Sequence, residues 1–187
     1  MSEDELISFQ EFVFDEFDEK PAEQLKAPFK KSLTKKLFIV RDLSTQTRKN
    51  IFDPSPFTTD KIPDHTMRSL FSFIKNNEPD VVVIFSPLRR AVVTADAIKK
   101  VFPKIKYKEH EYFREVKVGF CDHFVGEEFV RETKDDFFDR LKLGIEIMSK
   151  TVKENNIVLI THESYIVQLA RMHLDPGQFI RIDLDVS

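Results

Sequence analysis

The chain has 187 residues and a formal net charge of −3 at pH 7, a length that suits one domain with a sizeable core. The slightly acidic balance argues against a general nucleic-acid binder. Cys121 is the only cysteine, which excludes an intramolecular disulfide and fits a reducing compartment. No apolar run approaches the roughly 20 residues of a membrane-spanning helix. We therefore expect a cytoplasmic or nuclear protein that does not enter a membrane.

The first twenty residues are strongly acidic and rich in phenylalanine. The acidic residues are Glu3, Asp4, Glu5, Glu11, Asp15, Glu16, Asp18 and Glu19, and the phenylalanines are Phe9, Phe12, Phe14 and Phe17. Such a segment repels itself electrostatically, yet its large apolar side chains gain by burial. Two interpretations stay open: a partner-binding arm that orders on contact with another protein, or an extension that packs its phenylalanines on its own domain.

The stretch from Pro21 to Pro28 has little apolar periodicity and a proline at each end, which is typical of a linker. We therefore divide the chain into an acidic, Phe-rich extension with its linker over residues 1–34 and a folded domain over residues 35–187. Protein partners are expected, with residues 1–20 as the contact.

From residue 35 onward, strand patterns alternate with helix patterns. Continuous apolar runs over residues 36–41, 80–85 and 156–160 predict strands buried on both faces. Residues 104–110 and 179–184 alternate in polarity and are predicted as edge strands. Apolar residues at helical spacing predict four helices, marked by Met67, Leu70, Phe71 and Ile74; by Ala91, Val92, Ala95 and Ile98; by Phe137, Leu141, Ile145, Met148 and Val152; and by Tyr165, Ile166 and Leu169.

This order of elements predicts an α/β fold: a three-layer sandwich whose central sheet is mainly parallel, with helices on both faces. Ligand sites in such sheets lie at the carboxyl ends of the strands. Arg41-Asp42, residues 86–90 and Thr161-His162 all follow predicted strands. The sequence therefore predicts a site at this edge of the sheet.

These strand ends and the segments between them also carry recognisable motifs. In chain order they are Arg41-Asp42-Leu43, residues 56–61 (Pro-Phe-Thr-Thr-Asp-Lys), residues 86–91 (Ser-Pro-Leu-Arg-Arg-Ala) with Thr94-Ala95, Phe113-Arg114-Glu115 with Gly119, and Thr161-His162-Glu163. Together they resemble the histidine phosphatase superfamily, which includes the cofactor-dependent phosphoglycerate mutases. The resemblance covers roughly residues 36–184 and implies a phosphoglycerate mutase-like fold.

The resemblance also implies a role for each matching residue. Arg41 and Arg90 match the arginines that hold phosphoryl oxygens, and Glu115 matches the acid that protonates the leaving group. His162 matches the second histidine, which shares in phosphate binding and catalysis. Asp42 stands where the family has its nucleophilic histidine, and Leu43 and Glu163 replace family glycines. No cofactor and no metal ion is expected.

The substitution at residue 42 changes the electrostatics of such a site. Two unit charges about 4 Å apart interact by roughly 4 kcal/mol at an effective dielectric near 20. An aspartate therefore repels a phosphate dianion and attracts Arg41, Arg90 and a protonated His162. We predict that these residues close on one another as an internal ion network.

The predicted function is accordingly a catalytically impaired or inactive histidine-phosphatase-like protein that serves as a protein-binding, scaffolding or regulatory module. Two alternatives remain. One is an active phosphatase or phosphomutase in which Asp42 attacks a phosphomonoester. The other is a sensor that binds a phospho-ligand through Arg41, Arg90 and His162 without turnover.

Overall fold

A five-stranded sheet forms the centre of the part of the chain that the structure describes. The computed structural model describes residues 33–43, 51–54 and 67–186. Its strands are β1 (Leu33–Arg41), β2 (Val81–Phe85), β3 (Lys106–Glu109), β4 (Asn156–Thr161) and β5 (Phe179–Val186), in the order β3-β2-β4-β1-β5. The pairs β2–β3, β2–β4 and β1–β4 are parallel, whereas β5 pairs with β1 in antiparallel orientation.

In the described part of the chain, four helices connect and cover the strands. They are α1 (Arg68–Asn77), α2 (Arg89–Val101), α3 (Lys134–Thr151) and α4 (Glu163–Ala170). The start of α3 is fixed by Thr133, whose hydroxyl accepts the backbone N–H of Asp136 at 3.2 Å, a common way to satisfy the unpaired donors of a first turn. Single 3₁₀ turns at Glu111–Phe113 and Phe120–Asp122 lie between β3 and α3.

Each face of the sheet builds its own core. Leu37 and Ile39 on one face of β1 belong to a buried cluster with Phe137 and Leu141 of α3 and residues of α4. Phe38 and Val40 on the other face belong to a cluster with residues of α1 and α2. Because neighbouring strand residues point to opposite faces, a run of consecutive apolar residues is what a strand covered on both sides requires.

The fold predicted from the sequence is therefore confirmed: helices lie on both faces of a mainly parallel sheet. Both segments predicted as edge strands lie at an edge, although β3 is shorter than its pattern indicated. The predicted extension falls almost wholly in residues 1–32, outside the described residues, so the division into extension and domain stays a prediction. None of the helices in the described part of the chain is long and apolar enough to cross a membrane.

The topology brings three strand ends together. The strands β2, β4 and β1 are adjacent and parallel, so the residues that follow them meet at one edge of the sheet. We call this the carboxyl edge. The opposite, amino edge is where β1 begins at Leu33 and where α2 ends at Val101 before β3.

Candidate functional site

Asp42, Ser86 and His162 lie side by side at the carboxyl edge. The backbone N–H of Asp42 donates to the carbonyl of Thr161 at 3.0 Å, and that of Ser86 donates to the carbonyl of Ile160 at 3.1 Å. The parallel hydrogen-bond ladder therefore continues one residue past the strands. These backbone hydrogen bonds position the three side chains close together, independently of any contact between the side chains.

The Asp42 carboxylate is the centre of a buried ion cluster. Its Oδ2 lies 2.7 Å from Arg90 Nε and 2.9 Å from His162 Nδ1. Arg90 Nε also lies 3.2 Å from His162 Nδ1, but the nearer, charged oxygen accepts the hydrogens of both nitrogens. Asp42 and Arg90 are only 6% and 7% exposed. Burial acts to raise the pKa of Asp42, yet His162 and Arg90 outweigh it and hold that pKa below its ordinary value.

Arg90 has a second carboxylate partner on the loop before α3. Its Nη2 donates to Asp122 Oδ1 at 3.1 Å, and its Nη1 donates to the carbonyl of Cys121 at 2.8 Å. Burial opposes the charge of Arg90, but Asp42 and Asp122 raise its pKa above the ordinary value. The guanidinium therefore has an acceptor for each of its three nitrogens from this chain alone.

The local backbone places Arg90 on the first turn of α2. Asp53 Oδ1 accepts the N–H of Arg89 at 2.8 Å and so caps this helix from a distant segment. Thr94, one turn later, donates its hydroxyl to the carbonyl of Arg90 at 2.7 Å and accepts the N–H of Leu43 at 3.2 Å. The helix is thereby tied to the end of β1, which keeps Arg90 against Asp42.

His162 joins the Asp42 carboxylate to Ser86. Its Nε2 lies 2.7 Å from Ser86 Oγ, while its Nδ1 faces Asp42. In the neutral imidazole, Nε2 accepts the hydroxyl hydrogen, and in the imidazolium it donates to Oγ, so both ring nitrogens are paired in either form. Ser86 Oγ also accepts the N–H of Leu88 at 3.3 Å. Every polar atom along this chain therefore has a partner.

The order Asp42, His162, Ser86 is that of a hydrolytic triad, but its surroundings are not those of a nucleophile. Ser86 is fully buried. The next residue is Pro87, which has no backbone N–H to stabilise an oxyanion. The arrangement is better described as a closed hydrogen-bond chain than as a reactive serine.

Arg41 does not join Asp42, contrary to the ion network predicted from the sequence. Its Nη1 donates to the carbonyl of Leu174 and lies 3.0 Å from Glu163 Oε2, in the geometry of an ion pair rather than a hydrogen bond. Glu163 Oε1 lies 2.5 Å from His173 Nδ1. The reason is the pleat of β1, which turns successive side chains to opposite faces. Arg41 and Asp42 therefore take separate partners.

The loop that carries Glu115 is clamped onto α3. Arg140 donates to the carbonyls of Tyr112 and Arg114 at 2.9 and 2.8 Å and holds the Glu132 carboxylate with two nitrogens. Glu115 Oε1 accepts the N–H of Val116 at 2.9 Å. Burial raises the pKa of Glu115, and the negative charge of Asp122 acts in the same direction, against His162 and Arg90. A carboxyl with a raised pKa is suited to donate a proton.

The charges of the site do not favour an anion. Arg41 and Arg90 face the carboxylates of Asp42, Asp122 and Glu163, two positive charges against three negative ones before Glu115 and His162 are counted. Within residues 33–43, 51–54 and 67–186, no group of three His, Cys, Asp or Glu side chains is arranged to hold a metal ion. Burial raises the pKa of the Cys121 thiol to about 12, which leaves it a poor nucleophile.

Sequence reasoning located most of this site and missed two members. The structure brings together Asp42, Arg90 and His162, with Glu115 within electrostatic reach and Arg41 beside Glu163. It adds Asp122, which no motif had singled out, and the hydroxyl of Ser86, which had been quoted only as part of a motif. Phe9, Phe12, Phe14, Phe17 and residues 56–61 lie outside the described residues. The roles of all these residues in catalysis or binding stay predictions.

Comparison with known proteins agrees with the resemblance. The family model described as histidine phosphatase superfamily (branch 1) matches residues 65–135. No curated protein sequence matches the chain. The resemblance to the histidine phosphatase superfamily predicted from the motifs is thus confirmed.

Solved structures of phosphatases and mutases share the fold at low sequence identity. A putative alpha-ribazole-5'-P phosphatase from Escherichia coli is 16% identical, with a TM-score of 0.60 over 81% of this chain and 91% of the other. A phosphoglycerate mutase from Bacillus anthracis is 15% identical, with a TM-score of 0.60 over 82% and 89%. A mycobacterial glucosyl-3-phosphoglycerate phosphatase is 11% identical, with a TM-score of 0.54 over 81% and 91%. These similarities establish a phosphoglycerate mutase-like fold.

Proposed function

We propose that this chain is a catalytically impaired or inactive histidine-phosphatase-like protein that acts as a protein-binding, scaffolding or regulatory module. The observation that supports this most directly is that its own carboxylates occupy both arginines at the phosphate-binding positions. Asp42 and Asp122 hold Arg90, and Glu163 holds Arg41. To bind here, a phosphate group would have to displace these carboxylates from Arg90 and Arg41, whose positive charges they already neutralise.

The physical cost of binding a phosphate here is large. Repulsion between Asp42 and one phosphate charge about 4 Å away is roughly 4 kcal/mol at an effective dielectric near 20, which corresponds to a loss of about a thousandfold in affinity. Attack by Asp42 itself needs an oxygen free to approach phosphorus in line. Its Oδ2 is held by Arg90 Nε and His162 Nδ1, and the whole residue is 6% exposed. Both effects oppose phosphoryl transfer.

Activity and binding measurements on three proteins separate this proposal from its alternatives. Wild type is expected neither to hydrolyse an aryl phosphate nor to bind inorganic phosphate in calorimetry. Asp42→His with Glu163→Gly, which restores the family residues at both positions, is expected to gain hydrolysis, and Glu163→Gly alone is the matched control. Wild-type turnover that disappears in Asp42→Asn would instead favour the enzyme. Phosphate binding without turnover, lost in Arg90→Gln, would favour the sensor.

A protein partner is proposed to bind through the acidic, Phe-rich residues 1–20, where apolar anchors between charges suit a groove with a basic rim. The test compares proteins recovered on the full chain with those recovered on a variant carrying Phe9→Ala, Phe12→Ala, Phe14→Ala and Phe17→Ala. The control truncates four apolar residues exposed on the domain, Val125, Val130, Leu143 and Met172. Loss of the same proteins from both variants, or from neither, would remove the segment from the proposal.

A cytoplasmic or nuclear location belongs to the same proposal. It rests on the lone Cys121 and the compartment in which such thiols stay reduced. Microscopy of a fluorescent fusion tests the location, and a signal confined to a secretory compartment would contradict it.

A further inference from the structure

The charge of the chain is divided unevenly between its two parts. Residues 1–20 contain eight acidic residues and one basic residue, Lys20, so this segment carries a formal charge of −7. Since the whole chain carries −3, residues 21–187 carry +4. We call residues 1–20 the acidic segment. Its charge is complementary to that of the remainder of its own chain.

The positive charge is concentrated near the amino edge of the sheet. The exposed lysines there are Lys99 and Lys100 at the end of α2, Lys104 in the connection, and Lys106 and Lys108 in β3. Because α2 runs back along the parallel strands, its end and the start of β3 lie at the same edge as Leu33, where β1 begins. The acidic segment therefore joins the folded domain at the edge that carries these lysines.

The lysines surround an apolar surface that phenylalanine side chains could cover. Val93 and Ala97, both half-buried, line a shallow depression on α2 with Asp96, Lys99 and Lys100. Val101 is 52% exposed. We call Val93, Ala97, Lys99, Lys100, Val101 and Lys104 the amino-edge surface. Asp96, which is exposed beside them, is one carboxylate against the three ammonium groups of this surface. Phenylalanine side chains gain by covering its apolar part, while the ammonium groups around it attract carboxylates.

The outer side of β3, next to this surface, has backbone N–H and C=O groups that no neighbouring strand of the described sheet pairs with. β3 is the last strand of the sheet, bonded to β2 on one side alone within the described part of the chain. Two lysines beside this edge already have partners. Lys106 Nζ of β3 lies 2.5 Å from Glu154 Oε1, and Lys99 Nζ of α2 lies 5.5 Å from the Tyr107 ring centroid. Within residues 67–186, neither Lys100 nor Lys104 makes an ion pair.

The stretch between the acidic segment and β1 is long enough to reach this surface. Residues 21–32 are twelve residues, which span at most about 40 Å when extended. The path from β1 to β3 crosses three strand spacings, or about 14 Å at roughly 4.8 Å per spacing. The reach is therefore more than sufficient, even for a path that rounds the end of α1.

We propose that the acidic segment of the same chain docks on the amino-edge surface. Its carboxylates face Lys99, Lys100 and Lys104, and its phenylalanines cover Val93, Ala97 and Val101. A protein that captures the segment must first displace it from this surface. The inference does not depend on the loss of catalysis at the carboxyl edge, so either can fail while the other stands.

Zero-length carbodiimide cross-linking of the dilute full-length chain tests this docking, because it joins lysine amines to carboxylates in direct contact. Mapping by mass spectrometry of the monomer band is expected to find residues 3–19 joined to Lys99, Lys100 and Lys104. Raising the salt concentration well above physiological is expected to reduce these products, since exposed ion pairs are screened.

Charge-reversal variants test whether the cross-links depend on the amino-edge surface. In Lys99→Glu/Lys100→Glu, cross-links from the acidic segment to Lys104, Lys106 and Lys108 are expected to fall by about tenfold. Arg68→Glu/Lys142→Glu makes the same charge change on exposed residues of α1 and α3 and should leave the yield unchanged. Equal losses in both variants, cross-links spread evenly over all lysines, or products confined to a dimer band would each overturn the proposal.

Discussion

At the carboxyl edge of the sheet, the Arg90 guanidinium is buried against Asp42 and Asp122, whereas at the amino edge Lys99 and Lys100 are exposed to solvent. Both edges carry cations fixed on α2. They differ in whether the folded domain supplies the opposing carboxylates at close range. The comparison teaches that a cation on α2 is open to an outside partner only where the domain has not already neutralised it.

Removing the central carboxylate of the carboxyl edge is expected to have the largest effect. Asp42→Ala leaves Arg90 with one carboxylate fewer and His162 Nδ1 without its acceptor, in a buried setting. Breaking a buried ion pair in this way destabilises a protein by about 3–5 kcal/mol. Urea unfolding measures the change, with Asp42→Asn, which keeps a hydrogen-bond acceptor, as the control. A loss below about 1 kcal/mol would place the cluster among ordinary surface pairs.

Acid should remove the advantage of Asp42 over asparagine. Because the folded-state pKa of Asp42 lies below its unfolded value, its contribution is fully present above that unfolded value, near pH 4, and is lost as the pH falls through the folded pKa. Glu115, whose pKa is raised, acts in the opposite sense but is common to wild type and Asp42→Asn. The stability difference between the two proteins is therefore expected to shrink below about pH 4. A difference that stays constant down to acid unfolding would contradict the ionised cluster.

Glu163→Gln is expected to have a smaller effect than Asp42→Ala. Glu163 faces Arg41, whose side chain is 28% exposed, and His173, whose side chain is 66% exposed. Such partly solvated pairs contribute about 0–1 kcal/mol. Thermal unfolding at neutral pH checks this, and a loss as large as that of Asp42→Ala would show that the two arginines belong to one cooperative cluster.

The smallest effect on stability is expected at the amino edge. Lys99→Glu/Lys100→Glu changes the charge of exposed residues, so the free energy of unfolding should change by no more than about 0.5 kcal/mol for the domain itself. The same change should nevertheless alter the cross-linking of the acidic segment. A variant that unfolds the domain would mean that these lysines are structural, and the contrast between the two edges would disappear.

The fold could be predicted from the sequence because its signal is repeated along the chain. The apolar runs around Ile39, Val83 and Leu159 each require cover on two faces, and the helix periods between them leave one arrangement of layers. The carboxyl edge followed from the same pattern. The motif residues then placed Asp42, Arg90 and His162 together without any knowledge of side-chain positions.

The partners within the site were harder to predict, because they depend on which way each side chain points. Arg41 and Asp42 are neighbours in sequence, yet the pleat of β1 separates them, so Arg41 contacts Glu163 instead. Asp122 lies in a loop without periodicity, and its contact with Arg90 spans 32 positions. A contact made by a residue in an irregular loop cannot be predicted from the hydrophobic periodicity of the sequence.

We propose that the carboxyl edge neither accepts nor holds a phosphoryl group, and one measurement tests this directly. Wild-type protein is incubated with an aryl phosphate, quenched at neutral pH in denaturant, and examined by intact and peptide mass spectrometry. We expect Asp42 and His162 to remain unmodified, with no burst of released aryl alcohol. A phosphoryl group on either residue, formed and discharged at the rate of turnover, would contradict the account.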